Sequence, residues 1–160
     1  MSIAYLMLGS NLGDKKNNLE QAAEAITTGA GKILLSSQLI ESEPWGFTHS
    51  EYFYNQLLIL QTSLKPEELL EIILGIEVKL GRTRNRQEYE ARTIDIDILF
   101  YDNLILNSEA LIIPHPGIAE RRFVLVPLLA IAPELIHPVT GKTVWQMCRE
   151  CDDRLEVRIL

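Results

Sequence analysis

Residues 3–8 run apolar without a break, the pattern of a strand covered on both faces. Asn11, Gly13 and Asp14 turn the chain, and Leu19, Ala22, Ala23 and Ile26 then recur on one helical face until Gly29 and Gly31 stop it. Residues 32–41 read as a strand. Residues 42–50, which hold Pro44 and Gly46, read as a loop, and residues 52–62 as a second, longer strand. Pro66 suits a helix first turn; Leu69, Ile73, Ile76 and Leu80 draw one apolar stripe behind it, and Gly81 ends it. Residues 82–93 are polar and aperiodic. Residues 94–101 form a further strand, and Asp102-Asn103 turns the chain toward residues 104–106. The order βαββαβ predicts an α+β fold of the ferredoxin-like kind. Both helices would pack on one face of an antiparallel sheet and leave the other face for something else.

After Asn107 the chain is punctuated by Pro114, Pro116, Pro127, Pro133 and Pro138. The short elements between them are expected to wrap the core as C-terminal additions, so that residues 1–160 make a single domain. Thr143 and Gln146 stand at capping-box spacing for a last helix, and Leu155, Val157 and Ile159 alternate as a terminal strand would.

Composition narrows the function classes. With 47% hydrophobic and 23% charged residues the chain has the balance of an ordinary globular protein. A formal net charge of -7 sets the surface against nucleic acid and anionic membranes, so neither is an expected partner. No run approaches the ~18 apolar residues of a membrane span, and residues 1–8 lack the basic lead of an export signal. The expectation is a cytoplasmic monomer. Cys148 and Cys151 have C-x-x-C spacing, but no second pair or neighbouring histidines complete a zinc site. They read as two reduced thiols.

Against that acidic background, one segment stands out: Arg92-Thr-Ile-Asp95-Ile-Asp97-Ile. On a strand, Ile94, Ile96 and Ile98 point to one face, while Asp95 and Asp97 point side by side to the other, with α-carbons about 6.6–7 Å apart. Paired carboxylates on a rigid strand suit Mg²⁺, which takes one or two acids and fills its shell with water and phosphate oxygens. The competing account is an edge strand with an acidic solvent face. Arg82, Arg84, Arg86 and Arg92 crowd the preceding loop; their forks match the oxygens that a metal leaves bare on a triphosphate. Glu77 lies in the last turn of its helix, where the dipole disfavours an acid, and is expected to orient an arginine such as Arg82 or meet ligand, with a plain surface glutamate as the competing account. His115 is held between Pro114 and Pro116, with Arg121 and Phe123 shortly after. The aromatics of Pro44-Trp45-Gly46-Phe47, with Phe53, Tyr54, Tyr89 and Phe123, are the remaining surplus; some must be core, and such rings can hold a flat heterocycle while an amide such as that of Asn55 reads its edge. His49 and His137 have no such company. Gly29-Ala-Gly-Lys32 is no P-loop, because Ile33 stands where Ser or Thr is required, and Gly9-Ser-Asn-Leu-Gly13 has the wrong spacing for one.

Taken together, these motifs resemble the 6-hydroxymethyl-7,8-dihydropterin pyrophosphokinases of folate biosynthesis. The resemblance runs from Leu8-Gly-Ser-Asn-Leu-Gly13 through Glu43-Pro-Trp-Gly46, Phe53-Tyr-Asn55, Glu77 and Gly81-Arg82-Thr-Arg84. It continues through the Arg92–Asp97 segment to Pro114-His115-Pro116, Arg121-Arg-Phe123 and Ile131-Ala-Pro133. It implies transfer of the ATP β,γ-diphosphate to the pterin hydroxymethyl group, leaving AMP, with two Mg²⁺ ions on Asp95 and Asp97. It further implies that Arg82, Arg92, His115 and Arg121 hold the triphosphate, assisted by Arg84 and Glu77. Arg82 and Arg92 join the two aspartates as the catalytic set. The pterin would lie between Phe53 and Phe123, bordered by Pro44, Trp45 and Tyr89, with Asn55 at its edge. The segment Glu88-Tyr89-Glu90-Ala91 departs from the family pattern, keeping the aromatic but not the glycine or the basic residue. Two alternatives remain at this level: a Mg²⁺-dependent nucleotidyltransferase, which would release diphosphate, and a non-catalytic ferredoxin-like ligand-binding module, for which Asp97 would not matter.

Overall fold

A computed structural model of the chain describes residues 1–45, 51–81 and 93–160. The elements are β1 (Ser2–Ser10), α1 (Lys15–Gly29), β2 (Lys32–Ser36), β3 (Ile40–Ser42), β4 (Phe53–Thr62), α2 (Pro66–Lys79) and β5 (Asp95–Tyr101). After them come the short β6 (Leu106–Asn107) and β7 (Ile112–Ile113), a 3-10 turn (Ile118–Glu120), α3 (Arg122–Ile131), α4 (Val144–Glu150) and β8 (Val157–Ile159). The main sheet has the order β5-β1-β4-β3-β8, with β2 beside β4, and every pairing is antiparallel. β1, β2, β4 and β5 therefore stand in the ferredoxin-like order, while β3 also lies beside β4 and β8 extends the sheet beyond it.

The strand expected over residues 32–41 is two strands. β2 stops at Ser36 and β3 starts at Ile40. Between them Ser37 turns its groups onto β4: its N–H donates to Leu57 O and its Oγ accepts from Leu57 N, both at 2.9 Å. A serine that satisfies β4 with its side chain interrupts the ladder it sits in.

Period-two alternation divides the sheet residues between two cores. Ala4, Leu6 and Leu8, Leu58 and Leu60, and Ile96 and Ile98 pack against Leu19, Ala22 and Ile26 of α1 and Leu69 and Ile73 of α2. On the other face Met7, Leu57, Leu99 and Phe100 meet Ile118 of the 3-10 turn, Val124, Leu125 and Leu128 of α3, and Val144 and Met147 of α4. The C-terminal elements thus do more than wrap: they build a second core on the face the first two helices leave bare. Leu99 and Phe100 both reach it because the β1–β5 register slips between Tyr5 and Leu6, a bulge that turns one extra side chain over. The N-cap of α4 forms as its spacing predicts, with Thr143 Oγ1 accepting from Gln146 N at 3.1 Å and Gln146 Oε1 accepting from Thr143 N at 2.9 Å. No helix among the described residues is long and apolar enough to cross a membrane.

Candidate active site

Register places the acidic pair. Gly9 of β1 lies opposite Asp95 on one side and Asn55 of β4 on the other, and Met7 lies opposite Asp97 and Leu57. Because facing residues share a sheet face, Asp95 and Asp97 emerge on the face of the second core, together with Phe53 and Asn55. Ile94, Ile96 and Ile98 are buried in the first core, as alternation requires. The row Asn55–Gly9–Asp95 spans β4, β1 and β5, about 9.5–10 Å from end to end at ordinary strand spacing. Its middle member has no side chain, which lets the Asn55 amide and the Phe53 ring lean over β1 toward the aspartate strand.

Gly9 is a site residue that sequence reasoning passed over. A Cβ there would stand 2.8 Å from Asn55 Oδ1 and 3.6 Å from Phe53 Cδ1. The available signal was a glycine inside an otherwise apolar strand, which marks a close approach. Ser42, at the end of β3, was also missed. Its Oγ accepts from Asn55 Nδ2 at 2.7 Å, in a pair where Asn55 is 2% exposed and Ser42 is equally buried. That bond fixes which way the amide points and leaves Oδ1 on the Gly9 side.

The second core brings the remaining groups over this face. His115 N–H donates to Leu99 O at 2.9 Å, tying the segment after β7 to β5. The ring's Nδ1 accepts from Gly117 N at 3.0 Å, so a neutral imidazole carries its proton on Nε2, which lies 4.0 Å from Asp97 Oδ2. Burial, and then the Arg121 guanidinium, push the imidazole down to about 4, against the opposing pull of Asp95. Although the His115–Asp97 distance is that of an ion pair, the ring is therefore neutral near pH 7 and offers an N–H donor. The Arg121 guanidinium stacks over the Trp45 ring, 4.6 Å from its centroid. Gly117 makes room for Arg121, since a Cβ there would meet Arg121 Nε at 2.6 Å. Pro44 and Trp45 follow β3 directly and are half-buried. Phe123, in the first turn of α3, packs on the edge of the second core. Glu77 is fully buried, and its Oε2 accepts from Ile96 N at 2.9 Å.

Asp95, Asp97 and His115 thus gather on β5 and the segment that crosses it, Asn55, Phe53 and Ser42 on β4 and β3, and Arg121 both faces His115 and stacks on Trp45. Arg82, Arg84, Tyr89 and Arg92 lie outside the described residues. Among the described residues no three His, Cys, Asp or Glu form a group able to cage a metal ion. Two half-buried carboxylates on one face fit a hard cation that takes most of its oxygens from elsewhere, as Mg²⁺ does with phosphates.

Residues 5–133 match the family model described as 7,8-dihydro-6-hydroxymethylpterin-pyrophosphokinase (HPPK). The chain is 41% identical over 153 residues to a 2-amino-4-hydroxy-6-hydroxymethyldihydropteridine pyrophosphokinase of Methylorubrum extorquens, covering 95% of each. To the Porphyromonas gingivalis protein of the same name it is 44% identical over 141 residues, covering 86% of this chain and 95% of that one. It is 46% identical over 140 residues to the folic acid synthesis protein fol1 of Pneumocystis carinii, covering 88% of this chain but only 19% of that longer protein. Among solved structures, an HPPK-DHPS chain in complex with substrates superposes with a TM-score of 0.74 at 20% identity. That match covers 93% of this chain and 43% of the other, and it bears on the fold.

Proposed function

The chain belongs to the 7,8-dihydro-6-hydroxymethylpterin-pyrophosphokinase family, and from that premise we propose that it transfers the β,γ-diphosphate of ATP to the hydroxymethyl group of 6-hydroxymethyl-7,8-dihydropterin. The enzyme is a pyrophosphokinase of folate biosynthesis that uses ATP as co-substrate. In the proposed step the pterin hydroxyl oxygen bonds to the β-phosphorus and the α,β-bridging P–O bond breaks. AMP leaves, and the hydroxyl proton passes to solvent or a phosphate oxygen. The observation that carries the reading is the row Asn55–Gly9–Asp95. It sets an amide that can read a heterocycle edge one glycine-bearing strand away from the carboxylate pair, on the same sheet face.

Asp95 and Asp97 would hold two Mg²⁺ ions. When bound, these neutralise phosphate charge and polarise the β-phosphorus. The chain's own residues supply position and charge. His115 donates Nε2–H to a phosphate oxygen while remaining neutral. Arg82, Arg92 and Arg121 hold further oxygens, with Arg84 assisting at the phosphates and Glu77 assisting only from behind the aspartate strand. Asn55 bonds the pterin edge, Phe53 and Phe123 face its rings, and Pro44, Trp45 and Tyr89 border it. Residues 1–160 act as one domain and as a cytoplasmic monomer.

The test is a product assay with ATP, Mg²⁺ and the pterin, wild type beside Asp97→Ala. AMP should form only when pterin is present, and the variant should lose about a hundredfold or more in kcat/KM. Release of diphosphate instead of AMP would point to nucleotidyl transfer, and the absence of any turnover in folded wild type would leave a binding module.

A further inference from the structure

Glu77 stands where neither helix stability nor solvation accounts for an acid. It sits in the last turn of α2, where the aligned carbonyls disfavour negative charge. It is also 0% exposed, and a carboxylate there is unfavourable unless its oxygens accept hydrogen bonds. Its Oε2 accepts the Ile96 N–H at 2.9 Å. Among the described residues β5 pairs as a strand with β1 alone, and the segment after β7 meets its other edge at Leu99. An N–H on that other edge would otherwise need water or a second strand. Ile96 lies between Asp95 and Asp97, and its side chain is 4% exposed in the first core beside Ile76 and Ile73 of α2. The three-residue segment is therefore held by side chain on one face and by backbone at the edge. The φ and ψ of Ile96 decide how the two aspartates diverge.

We propose that Glu77 is a positioning residue: it sets the geometry of the Asp95–Asp97 pair through the Ile96 amide instead of touching the nucleotide. This rests on the pyrophosphokinase reading above. Groups one shell behind metal-holding side chains typically change metal affinity 10–100-fold when removed. What matters on this account is the reach of the side-chain oxygen to the amide, not the charge. Glu77→Gln keeps an oxygen at that reach; Glu77→Asp keeps the charge but withdraws it by one methylene.

The probes are Mn²⁺ with a non-hydrolysable α,β-methylene ATP, followed by electron paramagnetic resonance without turnover, and hydrogen exchange at the Ile96 amide. Glu77→Gln should bind within about threefold of wild type, whereas Glu77→Asp should lose about tenfold or more and exchange faster at Ile96. Wild-type binding and exchange in Glu77→Asp would overturn the proposal, and so would a tenfold loss in Glu77→Gln. The second criterion decides the matter alone if Glu77→Asp does not fold. An AMP-forming wild type with either overturning result refutes the positioning role only. A wild type that makes no AMP refutes the reaction, whatever Ile96 does.

Discussion

At Gly9 a hydrogen stands where any other residue would put a carbon 2.8 Å from Asn55 Oδ1. Asn55 cannot easily give way, because it is buried and its Nδ2 is held by Ser42 Oγ. Gly9→Ala should therefore turn the amide or push it back, at a cost of about 1–3 kcal/mol. The expected result is a rise in KM for the pterin of about tenfold or more, with the KM for ATP little changed, measured by steady-state kinetics beside a thermal melt. His115 gives a second test, with the sign set by its lowered value of about 4. The unfolded chain protonates this ring near 6.5, before the folded one does. The neutral histidine therefore contributes stability that is full above pH 6.5 and is lost as pH falls toward 4. In metal- and nucleotide-free solution, urea melts at pH 7.5 and pH 5 should show wild type losing on the order of 1–2 kcal/mol more than His115→Asn. Equal losses would contradict the burial of a neutral ring. At this scale the acidic pair was legible from Asp-x-Asp on a strand. Gly9 and Ser42 were not, because a residue that works by having no side chain, or by aiming another one, carries no chemistry of its own to read.

At the scale of elements, β3 is three residues long and yet carries Ser42 and delivers Pro44 and Trp45. Its outer edge is covered by β8, with Ser42 opposite Val157. Past the paired residues, Glu43 N donates to Glu156 O at 3.1 Å and Glu156 N donates to Glu43 Oε1 at 2.7 Å. Leu160 N closes onto Leu39 O at 2.9 Å. Removing residues 155–160 should leave both cores in place but free β3 and the start of the following loop. We expect KM for the pterin to rise several-fold more than kcat falls, and the Glu43 amide to exchange faster by nuclear magnetic resonance. A truncated chain with unchanged KM would show that β3 needs no outer partner. The alternation of Leu155, Val157 and Ile159 was visible in advance, whereas the strand it pairs with was not. The expected continuous strand over 32–41 also concealed Ser37, whose hydroxyl and N–H both turn to β4.

For the whole molecule, one sheet separates two cores, and the sequence neighbours Leu57 and Leu58 serve different ones while both are 0% exposed. If the layers were independent, filling one would be indifferent to the other. Because they share β1, β4 and β5, Leu57→Ala and Leu58→Ala should each cost about 2–5 kcal/mol and each melt in a single transition. Far-ultraviolet circular dichroism and tryptophan fluorescence should give coincident urea curves, and a split between them would mean the faces unfold separately. Sharing the sheet also brings His115 and Arg121, which arrive with the second core, to aspartates whose strand is anchored in the first. The sequence alone determined the βαββαβ order, the inward isoleucines and the outward aspartates of β5, and the capping box of α4, because each follows from periodicity or from contacts a few residues apart. Only the tertiary structure decided that Asn55, Gly9 and Asp95 form one row, that Gly117 fixes the imidazole proton, and that Glu77 closes on the Ile96 amide. Those relations depend on strand register and on distances between residues far apart in the chain, and register is set by the packing of both faces at once.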